Sequence, residues 1–483
     1  MCSFDIGSRG QEAAVGNNTI TNRINCFLAS PRYVIAAVLL TMAANMLSME
    51  LAVYSVFAAV AVYVCFWGDD LLPLLPLVIC GYFAPSVKNN PGRNEQSVFS
   101  VGHGGGYILF LAALIGAAIL FRVVKDRRRF FSKKYTLLSG MLVLLGAYLL
   151  SGLGSAGYTE RAGKNVLFAL LQGGTIILPY FLFSGGVNWG KARKDYFAWV
   201  GFGTGCLLVG QILWIYCTNG VVVDGVIDRK QIYTGWGMYN NIGGALAMMI
   251  PFAFCLATKY RRGWIGTVVG TGFLLGVFLT CSRSSILTGT AIYLVCIFLM
   301  LRYARNRRHN TIALVTAVGL VLLSVALFHR YLLHLFSSLL ENGLDPSSRD
   351  EIYWEGWKLF KRYPIFGGSF YPAGYKPWEW STNAGFTGFF PPRWHNTVIQ
   401  LLASCGGVGL CAYLLHRVQT LRMILKNNTR EKTFIGCAML ALVVSSMLDC
   451  HFFNIGPVLF YSMGLAFGEN CLSDGQALRN KQE

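Results

Sequence analysis

Charge is scarce in this chain, and negative charge is scarcer: Asp, Glu, Lys and Arg make up 13% of 483 residues, with 22 acids against 41 bases. Together with 54% hydrophobic residues, this leaves too little polar surface for a soluble core and shell. Also missing are a C-x-x-C pair, the His/Cys spacing of a metal site, a phosphate-binding loop and an Asp-x-Asp sequence. Their absence removes the sequence signatures of zinc sites and of enzymes that hold nucleotides or nucleotide sugars, so no cofactor or metal is expected. No internal repeat is visible. Residues 1–30 lack a compact apolar stretch ending in a small-residue cleavage site, so the first span is expected to remain in the chain.

What is present is a series of apolar runs. A membrane-crossing helix takes roughly 20 apolar residues, and about fourteen runs are centred near residues 40, 58, 78, 114, 145, 175, 207, 249, 272, 293, 320, 404, 440 and 460. The reading is an all-α polytopic membrane protein of about 12–14 transmembrane helices. The 14 cysteines fit this, since Cys65, Cys80, Cys206, Cys255, Cys296 and Cys411 lie inside apolar runs, where cysteine packs as a small hydrophobe. The bases cluster at 125–134, 191–194, 259–262, 302–309 and 416–432. If the spans alternate, all five clusters share one side, which the positive-inside rule makes cytoplasmic. Both termini are then cytoplasmic, and the connections near 87–104, 156–164, 218–238, 281–285, 330–394 and 448–455 face outward. The expected division is a tail over 1–30, spans over 31–329, one large outer loop over 330–394, spans over 395–470 and a tail over 471–483.

A chain that segregates its bases this way carries few of them outside, which makes Arg229, Arg283, Arg349 and Arg393 informative. Arg283, in Ser282-Arg283-Ser284-Ser285, stands between two spans with almost no loop. There it either meets an anion or snorkels to lipid headgroups while the serines cap the helix. Ser348 and Glu351 have capping-box spacing, and Tyr353, Trp357 and Phe360 follow on one face, so an amphipathic helix is expected at the outer interface. Arg349 in its first turn is either neutralised by Asp350 and Glu351 or serves an anionic ligand. His395 follows Pro391 and Pro392 and is expected in the first turn of the next span, where it is either a hydrogen-bonding cap or lipid-facing belt residue or, since the helix N-terminus favours the neutral imidazole, a general base. Asn396 beside it suits positioning of a substrate hydroxyl, and Arg393 suits a phosphate. The loop's aromatics, Trp354 and Trp394 among them, suit stacking on sugar faces or an interfacial belt. Gly367, Gly368, Gly374, Gly385 and Gly388 suggest a mobile lid.

The order Ser348-Arg349-Asp350, Trp354, Trp357, Leu359, Phe360, Pro364, Gly367, then His395-Asn396, Leu401, Gly406-Gly407 and Gly409-Leu410 resembles the C-terminal portion of the O-antigen ligase and polysaccharide polymerase family. Thr280 to Ser285 is similar to that family's serine–arginine turn. Gly235 to Pro251, with Asn240-Asn241 and Ala245, is similar to a further family segment. The resemblance covers roughly residues 225–470.

The resemblance implies a GT-C-like membrane glycosyltransferase in the bacterial cytoplasmic (inner) membrane, with its active site outside. It implies inverting, metal-independent transfer of a glycan from an undecaprenyl-diphosphate-linked donor to a sugar hydroxyl, on a glycolipid core or on another lipid-linked glycan. Carried over, Arg283 binds the diphosphate, with Arg229 as a weaker match, and His395 acts on the acceptor hydroxyl. Independently of the resemblance, arginine suits the diphosphate because it stays charged and binds phosphate oxygens in a fork. The residues expected at the diphosphate are Arg283, Arg229, Arg349 and Arg393, and those expected at the acceptor are Asn396, Trp394 and Trp354. The competing reading is a lipid-linked glycan flippase, which predicts charges lining the interior of the bundle.

Overall fold

The computed structural model describes residues 15–86, 104–189, 193–234, 237–337, 349–373, 391, 393–426 and 429–470. Ser348, Pro392, Gly235 and the aromatics and glycines of 374–390 lie outside the described residues. The chain is an all-α polytopic membrane protein. Its helices are α1 Val15–Leu28, α2 Pro31–Leu47, α3 Glu50–Trp67, α4 Leu74–Phe83, α5 Gly106–Lys125, α6 Arg127–Ser132, α7 Leu138–Leu149, α8 Tyr158–Gly186, α9 Tyr196–Thr218, α10 Tyr239–Lys259, α11 Trp264–Leu279, α12 Arg283–Tyr303, α13 Arg307–Leu335, α14 Arg349–Arg362, α15 Thr397–Leu425, α16 Arg430–Leu448 and α17 Ile455–Asn470. Among the described residues 9 helices are long and apolar enough to cross a membrane, or 10 with the pair Ile20–Leu28 and Pro31–Leu47 bent by 71°. Each of the fourteen apolar runs coincides with a helix; those near 78, 145, 272 and 460 form the shorter helices α4, α7, α11 and α17. Beyond the helices there are two short antiparallel pairs, Val222–Val223 with Val226–Ile227 and Tyr233–Thr234 with Gly237–Met238.

The bundle is organised around α10, whose most apolar stretch is 94% buried. A helix apolar all round belongs in the interior, and small residues at its surface allow close neighbours. A Cβ on Gly243 would meet Ser285 and Thr280, and one on Gly244 would come within 2.8 Å of the His451 ring. At the opposite extreme, α13 has no buried residue in its most apolar stretch.

Contacts sort the connections into two ends. At one end Lys133 Nζ donates to Asn470 Oδ1 at 2.5 Å, Asn188 N to Asp70 at 2.9 Å, and Lys259 Nζ lies 3.0 Å from Asp195. This end gathers the basic connections. At the other, Gln211 donates to the Phe83 carbonyl at 2.7 Å, Tyr216 to the Leu279 carbonyl at 2.6 Å, and Asn454 to Asn241 at 2.7 Å. One expected cluster is corrected: His416 and Arg417 do not belong to the basic end. His416 is buried and hydrogen-bonds Tyr461 at 2.9 Å, while the Arg417 guanidinium lies 4.3 to 4.8 Å from the ring centroids of Tyr413, Phe452 and Tyr461.

The helix that follows the large loop is broken. At Gly406 (φ 64, ψ −160) the backbone of α15 takes a conformation essentially reserved for glycine. The freed backbone groups need partners, and the loop supplies them: Gly407 N donates to Pro364 O at 2.8 Å, Val408 N to Ile365 O at 3.2 Å, Gly368 N to Ala403 O at 2.8 Å and Ser369 N to Ser404 O at 3.1 Å. Asn165 then accepts from Ser151 Oγ, Ser369 Oγ and Phe370 N at 3.1 to 3.2 Å, and Gly152 N donates to Phe366 O at 2.7 Å. Gly367 and Gly368 are therefore buried pairing residues and not part of a mobile lid.

Gly406→Ala is expected to cost about 1–3 kcal/mol for the backbone conformation alone, and more because its methyl would clash with the Ile365 carbonyl. Thermal melting of the detergent-purified protein measures this. Gly407→Ala, whose Cβ would meet nothing closer than 3.5 Å, is the tolerant control.

Candidate active site

His395 does not sit in the first helical turn. Asn396 is the N-cap of α15, and its Oδ1 accepts from Val398 N at 2.8 Å and Ile399 N at 3.1 Å, so the helix opens at Thr397. Asn caps well because its short side chain satisfies first-turn donors. Its Nδ2 donates to Met447 O at 2.7 Å, so both ends of the Asn396 amide hold backbone. His395 precedes the cap with φ 49, a left-handed conformation that histidine tolerates better than most residues. Tyr353 of α14 donates to its carbonyl at 3.1 Å, which ties the amphipathic helix to the histidine. The face of α14 that is buried carries Ile352 and Gly356, one position away from the expected Tyr353, Trp357 and Phe360 stripe.

The imidazole meets a carboxylate that sequence reasoning did not select. His395 Nδ1 lies 3.1 Å from Oδ1 of Asp449, at the C-terminal end of α16. A proton on Nδ1, donated to Asp449, puts the lone pair of the neutral ring on Nε2. Arg349 reaches the same place: it donates to Leu448 O at 2.7 Å and lies 3.9 Å from Asp449 Oδ2. Its partner is thus Asp449 and not only the acids of its own first turn. Burial alone raises the Asp449 pKa, yet the hydrogen bond with His395 and the charges of His451, His395 and Arg349 hold it well below the usual carboxylate range. His451 is fully buried beside it, and that burial lowers its pKa and favours the neutral ring. Arg393 donates to Phe453 O at 2.9 Å, and its Nη1 is buried with no hydrogen-bond partner among the described residues. The available signal for the missed residues was an acid and a histidine close together, Asp449-Cys450-His451, in a short connection between two apolar runs.

Arg283 and Arg229 form the second half. Arg283 opens α12, after a turn in which Cys281 has φ 50 and Ser282 and Ser285 are buried with their hydroxyls 2.9 Å apart. Arg229 stacks over the Tyr239 ring at 5.2 Å and lies close enough to Cys281 to lower its thiol pKa against the burial that raises it to about 11. The first turn of α10 joins the halves: Asn240 O accepts from Ser285 Oγ at 3.3 Å, Asn241 Oδ1 accepts from Asn454, and Gly244 packs on His451. The structure therefore gathers His395, Arg349 and Arg393 around Asp449, with Arg283 at the start of α12 and Arg229 over Tyr239 at the start of α10.

The two tryptophans separate. Trp394 is 1% exposed and packs with Ile352 and Ala403, so its ring faces are taken by protein and it offers no sugar platform. Trp354 is 54% exposed, with the Lys358 and Lys361 ammonium groups 5.8 and 5.6 Å from its ring.

Asp449→Asn would leave Arg349 and His395 without their carboxylate, an expected loss of up to about 3–5 kcal/mol. Because the folded pKa is depressed, this stabilisation is present above the unfolded carboxylate pKa of about 3.9 and is lost as pH falls through the lower folded value. Melting temperature against pH tests this: wild type should lose stability below about pH 4, and the variant should lack that component. No curated protein matches the chain. Residues 272–414, which include the serine–arginine turn, α14, His395 and the broken helix, match the family model described as O-antigen ligase. Over this segment, which is under half of its length, the chain is similar to the O-antigen ligase family.

Proposed function

We propose that the protein transfers a glycan from an undecaprenyl-diphosphate-linked donor to a sugar hydroxyl of a second lipid-anchored glycan, on the outer face of the bacterial cytoplasmic membrane. The observation that carries this reading is the 3.1 Å pairing of His395 Nδ1 with Asp449, beside arginines at the same end of the bundle. With Nδ1–H held by the carboxylate, Nε2 accepts the proton of the acceptor hydroxyl as its oxygen attacks the anomeric carbon. The bond from that carbon to the diphosphate oxygen breaks, and attack from the opposite face inverts the centre. Charge develops on the departing diphosphate, where Arg283, Arg229 and the N-terminus of α12 stabilise it. Diphosphate leaves without a general acid, so the reaction needs no metal if these cations carry that charge. Arg393 remains a phosphate ligand in this proposal. Arg349, committed to Asp449 and the Leu448 carbonyl, orients the carboxylate.

The flippase reading gains one observation, the interior position of His416 and Arg417. The rings of Tyr413, Phe452 and Tyr461 crowd that guanidinium, which favours a packing role over a translocation path.

The test supplies purified protein with a lipid-diphosphate glycan and candidate acceptors, without metal or nucleotide, and follows glycan transfer by mass. Loss of the base is expected to cost about 10²- to 10⁴-fold in His395→Ala, and Arg283→Ala about 10²- to 10³-fold. Full transfer by both variants would reject the site. Glycan translocation in vesicles without any transfer would favour the flippase.

A further inference from the structure

The basic end of the bundle holds a cavity of about 750 Å³, far from His395. Arg193, Lys194, Lys259 and Arg430 line it, together with Asp195 and Glu431, leaving two positive charges in excess. The acids lie deeper than the bases. The Asp195 side chain is 1% exposed, held by Lys259 at 3.0 Å and Arg193 at 3.3 Å, whereas those cations are 31% and 47% exposed. Glu431 is 10% exposed beneath Arg430 at 28%. The cavity thus presents cations over buried carboxylates.

Backbone dipoles add to this field. Asp195 directly precedes α9, and Thr429, also in the lining, caps α16 by accepting from Lys432 N at 3.3 Å. Two helix N-termini therefore meet at the cavity, each with first-turn N–H groups outside its own ladder. A closed ion-pair lock would match its charges and fill its volume; this site has excess positive charge and open space. Its depth is set by the span ends, because Lys259 is the last residue of α10 and Arg430 the first of α16. Apolar helices end where a bilayer's headgroups begin.

We propose that this cavity binds the phosphoryl headgroup of an anionic phospholipid from the leaflet at the basic end, with Lys194, Lys259 and Arg430 as donors to the phosphate oxygens. The site is independent of the glycan-transfer reading. Basic pockets between membrane helices take such headgroups, and each cation near the surface contributes roughly fivefold in affinity.

Titration of the detergent-purified full chain, followed by native mass spectrometry, tests this with phosphatidylglycerol, phosphatidylcholine and inorganic phosphate as separate probes. Wild type should retain phosphatidylglycerol and not phosphatidylcholine. Lys194→Gln with Arg430→Gln should weaken that retention about thirtyfold. Equal retention of the two lipids, or unchanged retention in the double variant, overturns the proposal. Millimolar inorganic phosphate that displaces phosphatidylglycerol completely assigns the cavity to a free phosphoryl ligand and overturns the lipid. The comparison of lipids on wild type stands even if the double variant does not fold.

Discussion

A backbone broken inside an apolar bundle must find hydrogen-bond partners, and that constraint shapes the end of this protein that holds His395. The break at Gly406 leaves the groups around Ala403 to Val408 without their helical ladder, and the stretch Pro364 to Ser369 lies against them and pairs. Where that stretch goes, α14 follows, because its last residue lies directly before it. α14 then packs Ile352 and Gly356 against the first half of α15, with Trp394 wedged between. Tyr353 holds the His395 carbonyl from the same helix. The histidine's placement is thus downstream of a glycine eleven residues further along the chain.

Charge is arranged under the same economy. Among the described residues near His395, one carboxylate, Asp449, serves a histidine, an arginine and the Cys450 amide at once. A buried acid with several cationic neighbours stays ionised, and an ionised partner fixes which nitrogen of the imidazole carries the proton. Arg229 and Arg283 sit elsewhere, over the Tyr239 ring and at the start of α12.

Much of the helical layout was legible because apolar runs and clustered bases are local properties. All fourteen runs became helices, and the basic clusters gather at one end except for the first two residues of the last. The exception, His416 with Arg417, shows the limit: in the sequence they continue a basic run, and only the packing of Phe452 and Tyr461 from other elements makes them interior. Arg283 and His395 stand out by position and type, whereas Asp449 is marked only by its closeness to His451, and its pairing with a residue 54 positions away is not written in its own neighbourhood. Asn396 looked like a substrate ligand because asparagine suits both tasks; the helix start at Thr397 decides for the cap. Gly367 and Gly368 looked like a hinge for a similar reason, since glycine marks both freedom and close backbone approach.

The dependence of the His395 end on pieces distant in sequence has a consequence for synthesis. The α7–α8 turn, through Gly152 and Asn165, forms the seat on which Phe366, Ser369 and Phe370 dock, and those in turn receive the broken helix. Each layer rests on one made earlier by the ribosome. Asp449 comes last, so a nascent chain released anywhere before α16 is complete carries His395 without the partner that orients it. The pairing therefore forms only after the helix that ends at Leu448 has been made.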